Sequence, residues 1–210
     1  WHLEPDRLDE TLVCYDSRKE GGWDLADKEL AALIDEVAGR GAHVLVVLDC
    51  CHSGSGTRSL AEQATAIRRA PTDLRPRPLE TFLVGAGQAE ALANKRGLGD
   101  AQTAWPVGKH VLLAACRDEQ EASEYNGEGK PRGAFSYFLG DTLRSATGPL
   151  TYRDLFARIN ALLSSVGGSQ CPQLEATNPD DLNALFLDGT VRSADPYHVV
   201  SRTADGWCLH

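Results

Sequence analysis

Residues 43–56, HVLVVLDCCHSGSG, place an acid, two thiols, an imidazole and a Gly/Ser turn directly after the five apolar residues Val44–Leu48. The chemistry such a stretch can do is nucleophilic. A thiol just past a strand, where the backbone turns, can be half exposed and activated while the strand holds it rigid. Cys51 is the candidate nucleophile. The competing reading is an inert thiol, since cysteine is among the most buried residue types. Asp49 falls at the strand end, and an acid there is costly to bury unless it is paired or kept for a ligand, so it points to a pocket for a cation. Ser53, Gly54, Ser55 and Gly56 permit a tight turn whose backbone N–H groups can face an oxyanion.

Two other chemistries fit parts of the stretch. A strand, a cysteine, a Gly/Ser loop and an arginine also describe the phosphate cradle of cysteine phosphatases, which sets its arginine six positions after the thiolate. Arg58 is seven after Cys51, which moves the guanidinium off the phosphate. A metal site from Cys50, Cys51 and His52 is opposed by geometry, because adjacent side chains of an extended chain point to opposite faces and no second ligand pair follows.

Asp49-Cys50-Cys51-His52-Ser53-Gly54 resembles the D-x-C-H-S-G motif of metacaspases and orthocaspases, within the caspase-like cysteine peptidases. The resemblance implies that Cys51 is the nucleophile and that Asp49 lines the S1 pocket and recognises a P1 Arg or Lys. The Gln-Ala-Cys signature of true caspases is absent, so a P1 Asp is not implied. Residues 8–17, LDETLVCYDS, resemble the segment that follows the family's catalytic histidine, with Cys14 where proline usually stands. Residues 117–124 resemble the strand-end loop of the substrate groove, which makes Gln120 and Glu124 substrate-binding candidates; a charged surface loop is the alternative. Gly133-Ala134-Phe135-Ser136 and Gln170-Cys171-Pro172-Gln173-Leu174 match the family's layout as well.

In the family pattern paired acids at the start of the helix before the nucleophile's strand contribute to a calcium site, the one cofactor implied. Here the pair reads Asp27-Lys28, and an ammonium in place of a carboxylate removes an oxygen ligand and adds a repelling charge. Asp27 is thus either a calcium ligand or a helix cap. The family also supplies a His-Gly pair whose imidazole takes the thiol proton and later protonates the leaving amine. No His-Gly occurs here. His2 stands 49 residues before Cys51 but lacks the following glycine. His52 points away from its neighbour, His43 and His110 open their strands, and His198 and His210 belong to the tail. The resemblance therefore implies a histidine upstream of Trp1, with residues 1–210 alone inactive.

The elements that must position these groups follow from periodicity. Leu30, Leu33, Ile34 and Val37 predict a helix over residues 24–39, capped by Asp24 or Asp27 and ended by Gly39 and Gly41. It leads into Val44–Leu48, half of a βαβ unit, and a second buried strand is expected at residues 110–116. Helices are expected at residues 135–146 and after Thr151, whose side chain with Asp154 reads as a capping box. Leu155, Ile159, Leu162 and Leu163 form that helix's apolar face, Gly167-Gly168 end it, and residues 183–187 read as a last strand. Residues 57–109 form a long linker around the proline- and arginine-rich APTDLRPRPLE, which is expected to be exposed. Within it Arg68 and Arg69 are candidate autocleavage sites; Arg75 and Arg77 are followed by prolines, which hinder cleavage, and a merely solvated basic loop is the alternative.

The expected fold is α/β, a three-layer caspase-like sandwich with a mostly parallel central sheet that lacks its first strands. Residues 1–188 form the peptidase domain, its N-terminal part missing, and residues 189–210 open a further module or tail. A net charge of −9 opposes nonspecific nucleic-acid binding and suits basic peptide partners. Six cysteines without regular spacing suit a reducing, cytoplasmic setting, and no run approaches the roughly 20 apolar residues of a membrane span. The expected function is a cysteine endopeptidase cleaving after Arg or Lys through a Cys51 thioester, with autoprocessing. A catalytically silent caspase-like scaffold that binds proteins is the alternative.

Overall fold

A computed structural model describes residues 10–50, 70–85, 109–117, 120, 122–127, 129–166 and 170–188, and the backbone of 200–203 and 206–209. The strands are β1 (Thr11–Leu12), β2 (Leu25–Ala26), β3 (Val44–Leu48), β4 (His110–Ala114), β5 (Glu124–Gly127), β6 (Lys130–Gly133), β7 (Gln173–Ala176), β8 (Val200–Thr203) and β9 (Gly206–Leu209). The α-helices are α1 (Asp27–Gly39), α2 (Ala134–Ser145) and α3 (Tyr152–Ser165), and single 3₁₀ turns lie at Leu79–Thr81 and Pro179–Asn183. No described helix is long and apolar enough to cross a membrane. The autocleavage candidates Arg68 and Arg69, and Cys51 itself, lie outside the described residues.

The apolar runs of β3 and β4 pair in parallel from Val44↔His110 to Leu48↔Ala114. β7 joins the other edge of β4 antiparallel, from Val111↔Ala176 to Ala114↔Gln173. Among the described residues the sheet is therefore mixed, with one parallel and one antiparallel pair, rather than mostly parallel. All five β4 residues are buried, whereas β3 is half-buried and leaves Val47 39% exposed. The central strand of the described sheet is β4, because it alone has a strand on each side.

The core over β4 is built by helical spacing. Leu155, Ile159 and Leu163 recur every four residues along α3 and meet Phe135 and Phe138 of α2 and Leu113 of β4. The expected capping box is present: Thr151 Oγ1 accepts the Asp154 N–H at 3.1 Å, and an Asp154 carboxylate oxygen accepts the Thr151 N–H at 3.4 Å.

Two elements depart from expectation. Helix α1 starts at Asp27 rather than residue 24, because Leu25–Ala26 pair with Thr11–Leu12 and the Asp24 carboxylate is taken by Thr11, Ser17 and Arg18. Its cap is neither Asp24 nor Asp27: Ala26 holds the capping position and Glu29 Oε2 accepts its N–H at 2.8 Å. On its apolar face Ile34 is buried, while Leu33 and Val37 are exposed. The last strand of the sheet is β7, not residues 183–187, since Asn178 caps a 3₁₀ turn with Pro179 at its start and the chain leaves the ladder there. The proline-rich segment is exposed as expected, with only Asp73 and Arg77 of residues 70–80 half-buried, and it is anchored at Arg77, which is pinned between Glu29 and Thr81.

Candidate active site

Strands β3 and β4 finish side by side. Ala115 donates its N–H to Leu48 O at 2.8 Å, extending the ladder one residue past β4. Cys116, 1% exposed, then directs its thiol to Gln120 O at 3.4 Å and to Cys50 O at 3.7 Å, so the two strand ends are tied at the residue before Cys51. In α/β sheets ligands bind beyond the carboxyl ends of parallel strands, and Asp49 stands at this end.

Asp49 Oδ2 accepts the N–H of Ser136 at 3.0 Å. Gly133 is the N-cap of α2, so Ser136 is its third residue and owns one of the N–H groups with no partner inside the helix. Negative charge at a helix N-terminus is favoured by about 0.3–1 kcal/mol. Gly133 makes the approach feasible, because an ideal Cβ there would lie 2.5 Å from Asp49 Cγ and nearer still to Oδ2. Its φ of −57° suits any residue, so the need for glycine is spatial. Glu124 is the cross-strand partner of Gly133, which brings both acidic substrate-binding candidates to one glycine. Tyr125, Tyr137 and Phe138 stack pairwise with centroids 4.8–5.3 Å apart and stiffen the hairpin against the helix.

Gln120 has a tying role. Its Oε1 accepts the N–H of Arg117 at 3.3 Å and of Cys171 at 2.9 Å, while Gln170 Oε1 accepts the Ser123 N–H at 3.1 Å. Two glutamines thus knit the loop after β4 to the loop before β7, and Ala134 N–H to Ser123 O, 2.9 Å, fastens both to the start of α2. Sequence reasoning missed Gly133 and the Ser136 N–H as the holders of Asp49; the G-A-F-S phrase signalled a helix start and nothing of its trans partner.

The described histidines belong elsewhere. His43 Nε2 is 2.6 Å from the Tyr152 hydroxyl, and His110 Nδ1 is 3.2 Å from Thr177 Oγ1. His43 precedes β3 and His110 opens β4, each five residues long, so both stand roughly 17 Å from the ends that carry Asp49 and Cys116. The Tyr152 hydroxyl is raised above its ordinary range by burial, an effect partly offset by the Leu187 N–H it accepts. His2 and His52 lie outside the described residues.

Asp27, the candidate calcium ligand, opens α1. Its Oδ1 lies 3.2 Å from Lys28 Nζ, and the two side chains are 6% and 2% exposed. Calcium takes six to eight oxygen ligands. The Asp27 carboxylate already faces a fixed ammonium, and among the described residues no group of three or more His, Cys, Asp or Glu side chains is placed to hold a metal. The residues present here do not fit a calcium ion.

Residues 6–183 match a family model described as the caspase domain. Metacaspase-1 of Candida albicans is 25% identical over 206 residues, covering 88% of this chain and 45% of its own length. Metacaspase-1 of Mycosarcoma maydis is 26% identical over 203 residues, covering 88% and 49%, and metacaspase-3 of Trypanosoma cruzi is 24% identical over 198 residues, covering 91% and 49%. The chain spans about half the length of these curated relatives. A crystal structure of a Geobacter sulfurreducens protein superposes with a TM-score of 0.53 over 90% of this chain and 64% of its own, at 23% identity, which is a likeness of fold.

Proposed function

Because this chain belongs to the caspase domain family and is similar to metacaspases over most of its length, we propose that it is a cysteine endopeptidase cleaving after Arg or Lys. Cys51 is the nucleophile: its thiolate adds to the scissile carbonyl carbon, the C–N bond breaks, and the amine leaves with a proton from a histidine. Water then hydrolyses the Cys51 thioester and regenerates the thiol. The full domain is the three-layer sandwich of the family, its substrates are proteins with a basic P1 residue, and its own linker at Arg68 or Arg69 is among them. The setting proposed is reducing and cytoplasmic, which six cysteines without regular spacing suit.

The observation that supports this reading is the placement of Asp49. Its carboxylate stands two residues before Cys51, at the carboxyl end of a parallel strand, fixed by the Ser136 N–H. A carboxylate offers about four acceptor positions, so capping α2 and receiving a guanidinium are compatible roles. A guanidinium makes charge-assisted, bidentate contacts with such a group. Glu124, the cross-strand partner of Gly133, and Gln120 are the further substrate contacts proposed.

The test is covalent labelling of the full-length protein with peptidyl ketone warheads bearing Arg or Asp at P1, followed by peptide mapping. Selective modification of Cys51 by the Arg reagent is the expected result. Equal reaction with both reagents would remove the specificity. If iodoacetamide alkylates Cys51 and neither warhead does, the chain is a silent scaffold.

A further inference from the structure

The start of α1 carries three deeply buried acids, Asp24, Asp27 and Glu29, each 7% exposed or less. Carboxylates this dry demand countercharge. Each has one from the chain itself. Arg18 Nη2 lies 2.8 Å from Asp24 Oδ2, Lys28 Nζ lies 3.2 Å from Asp27 Oδ1, and Arg77 grips both Glu29 oxygens at 2.8 and 2.9 Å. Lys28 is 2% exposed, a depth lysine almost never reaches unpaired.

Arg77 comes from the long linker, and its other donors are also used. They go to Asp24 O at 2.9 Å, Thr81 Oγ1 at 3.1 Å and Thr81 O at 2.7 Å, while the guanidinium carbon lies 3.8 Å from the Phe82 ring centroid. Glu29 in turn accepts the N–H of Leu83 and of Ala26, both at 2.8 Å. Arg18 reaches Pro71 O at 2.7 Å, so residues 70–85 are fastened to the helix start at both ends. Burial pushes the Glu29 and Asp24 carboxyls up, but Arg77 with the two N–H groups, and Arg18 with Ser17, hold them below their ordinary values.

We infer that Arg18, Lys28 and Arg77 are tethered countercharges at the start of α1, with Lys28 standing where the family resemblance puts a calcium-binding acid. They hold residues 17–29 and the docked linker together, and this end of the chain takes no calcium. Each of the three carboxylates has a cation of the same polypeptide beside it, so the docking of residues 70–85 is independent of calcium concentration.

The test uses the wild-type chain and two variants, in millimolar calcium chloride or in EGTA. For the wild type, equilibrium dialysis with radioactive calcium should show no saturable binding, and the thermal midpoint should be the same in both buffers. Lys28→Asp should lower the midpoint in EGTA and regain part of it in calcium. Arg77→Gln should raise chymotryptic cleavage within residues 70–85 about tenfold or more, equally in both buffers, because a broken buried pair opens the segment. Saturable calcium binding by the wild type that Asp27→Asn abolishes would overturn the inference. So would a Lys28→Asp chain indifferent to calcium, or an Arg77→Gln chain cleaved no faster than the parent.

Discussion

Gly133 and Asp49 share one space: the carboxylate occupies the volume that a side chain at Gly133 would fill, 2.5 Å from an ideal Cβ to Asp49 Cγ. The backbone at Gly133 is ordinary, with φ −57°, so replacing it introduces a collision and no torsional strain. Gly133→Ala should push the carboxylate off the Ser136 N–H and destabilise the fold by about 1–3 kcal/mol, the range of overpacked sites. Urea denaturation measures it. In the Asp49→Ala background the same change should cost markedly less, since residues in contact are not additive. Equal costs in the two backgrounds would show that the glycine answers to something other than Asp49.

Asp49 has two roles that substitutions can separate. Asp49→Asn keeps an acceptor for the Ser136 N–H and removes the charge, whereas Asp49→Ala removes both. Stability should therefore fall by about 1 kcal/mol in the alanine variant, the size of a lost cap, and stay near the parent in the asparagine variant. Cleavage of peptides with P1 Arg should fall in both, by on the order of 2–4 kcal/mol in kcat/KM. An asparagine variant that still cleaves after Arg at the parent's rate would place the basic pocket elsewhere.

Local pattern carried the elements whose energetics are local. Val44–Leu48 and the box of Thr151 and Asp154 were legible because apolar runs and short-range caps act within a few residues. The start of α1 was not, because what stops the helix at Asp27 is the pairing of Ala26 with Thr11 and the capture of Asp24 by Arg18. Nor was the hairpin of β5 and β6, with Pro131 and its glycines, legible as strands; it is held by its register and by Tyr125 stacking on Tyr137 and Phe138. Asp49 was visible as an acid at a strand end. That its partner would be a helix start 87 residues on, at Ser136, is a long-range fact with no local signature. Arg77 reads as one charge in an exposed proline-rich loop, yet it meets Glu29 across 48 residues.

The pair of Arg77 and Glu29 should behave as a buried unit. Arg77→Ala and Glu29→Gln should each destabilise by about 3 kcal/mol, and the double variant should cost little more than either alone. The pH dependence follows from the same contacts. Glu29 and Asp24 sit below their ordinary values of 4.5 and 3.8 in the folded chain, so the unfolded chain binds more protons in acid. Their contribution is complete above pH 4.5 and is lost as pH falls through the folded values. Denaturation midpoints between pH 7 and 3 should drop more steeply for the parent than for Arg77→Ala, whose Glu29 is no longer depressed by a guanidinium. Parallel profiles would show that the pair contributes nothing to acid stability.

The linker should be cut at Arg68 or Arg69 and not at Arg75 or Arg77. A P1 side chain must leave its own partners to enter a pocket. Arg75 stacks on Trp23 at 4.7 Å and donates to Asp73 at 2.7 Å and to Gly22 O at 3.2 Å, while Arg77 is held by Glu29, Asp24 O and Thr81. Both also precede a proline. Arg68 and Arg69 come just before this docked segment in sequence, and a cut there leaves residues 70–85 fastened to the helix start by contacts that do not cross the cut peptide bond. The fragment carrying β3 and the fragment carrying β4 would remain paired over five residues. Intact mass spectrometry of the full-length protein beside its Cys51→Ala variant should show fragments ending at Arg68 or Arg69 only when the thiol is present, and size exclusion should recover the fragments as one species. Cleavage after Arg75 or Arg77 would mean that the docked segment releases before processing, and identical fragments from both proteins would assign the cut to another protease.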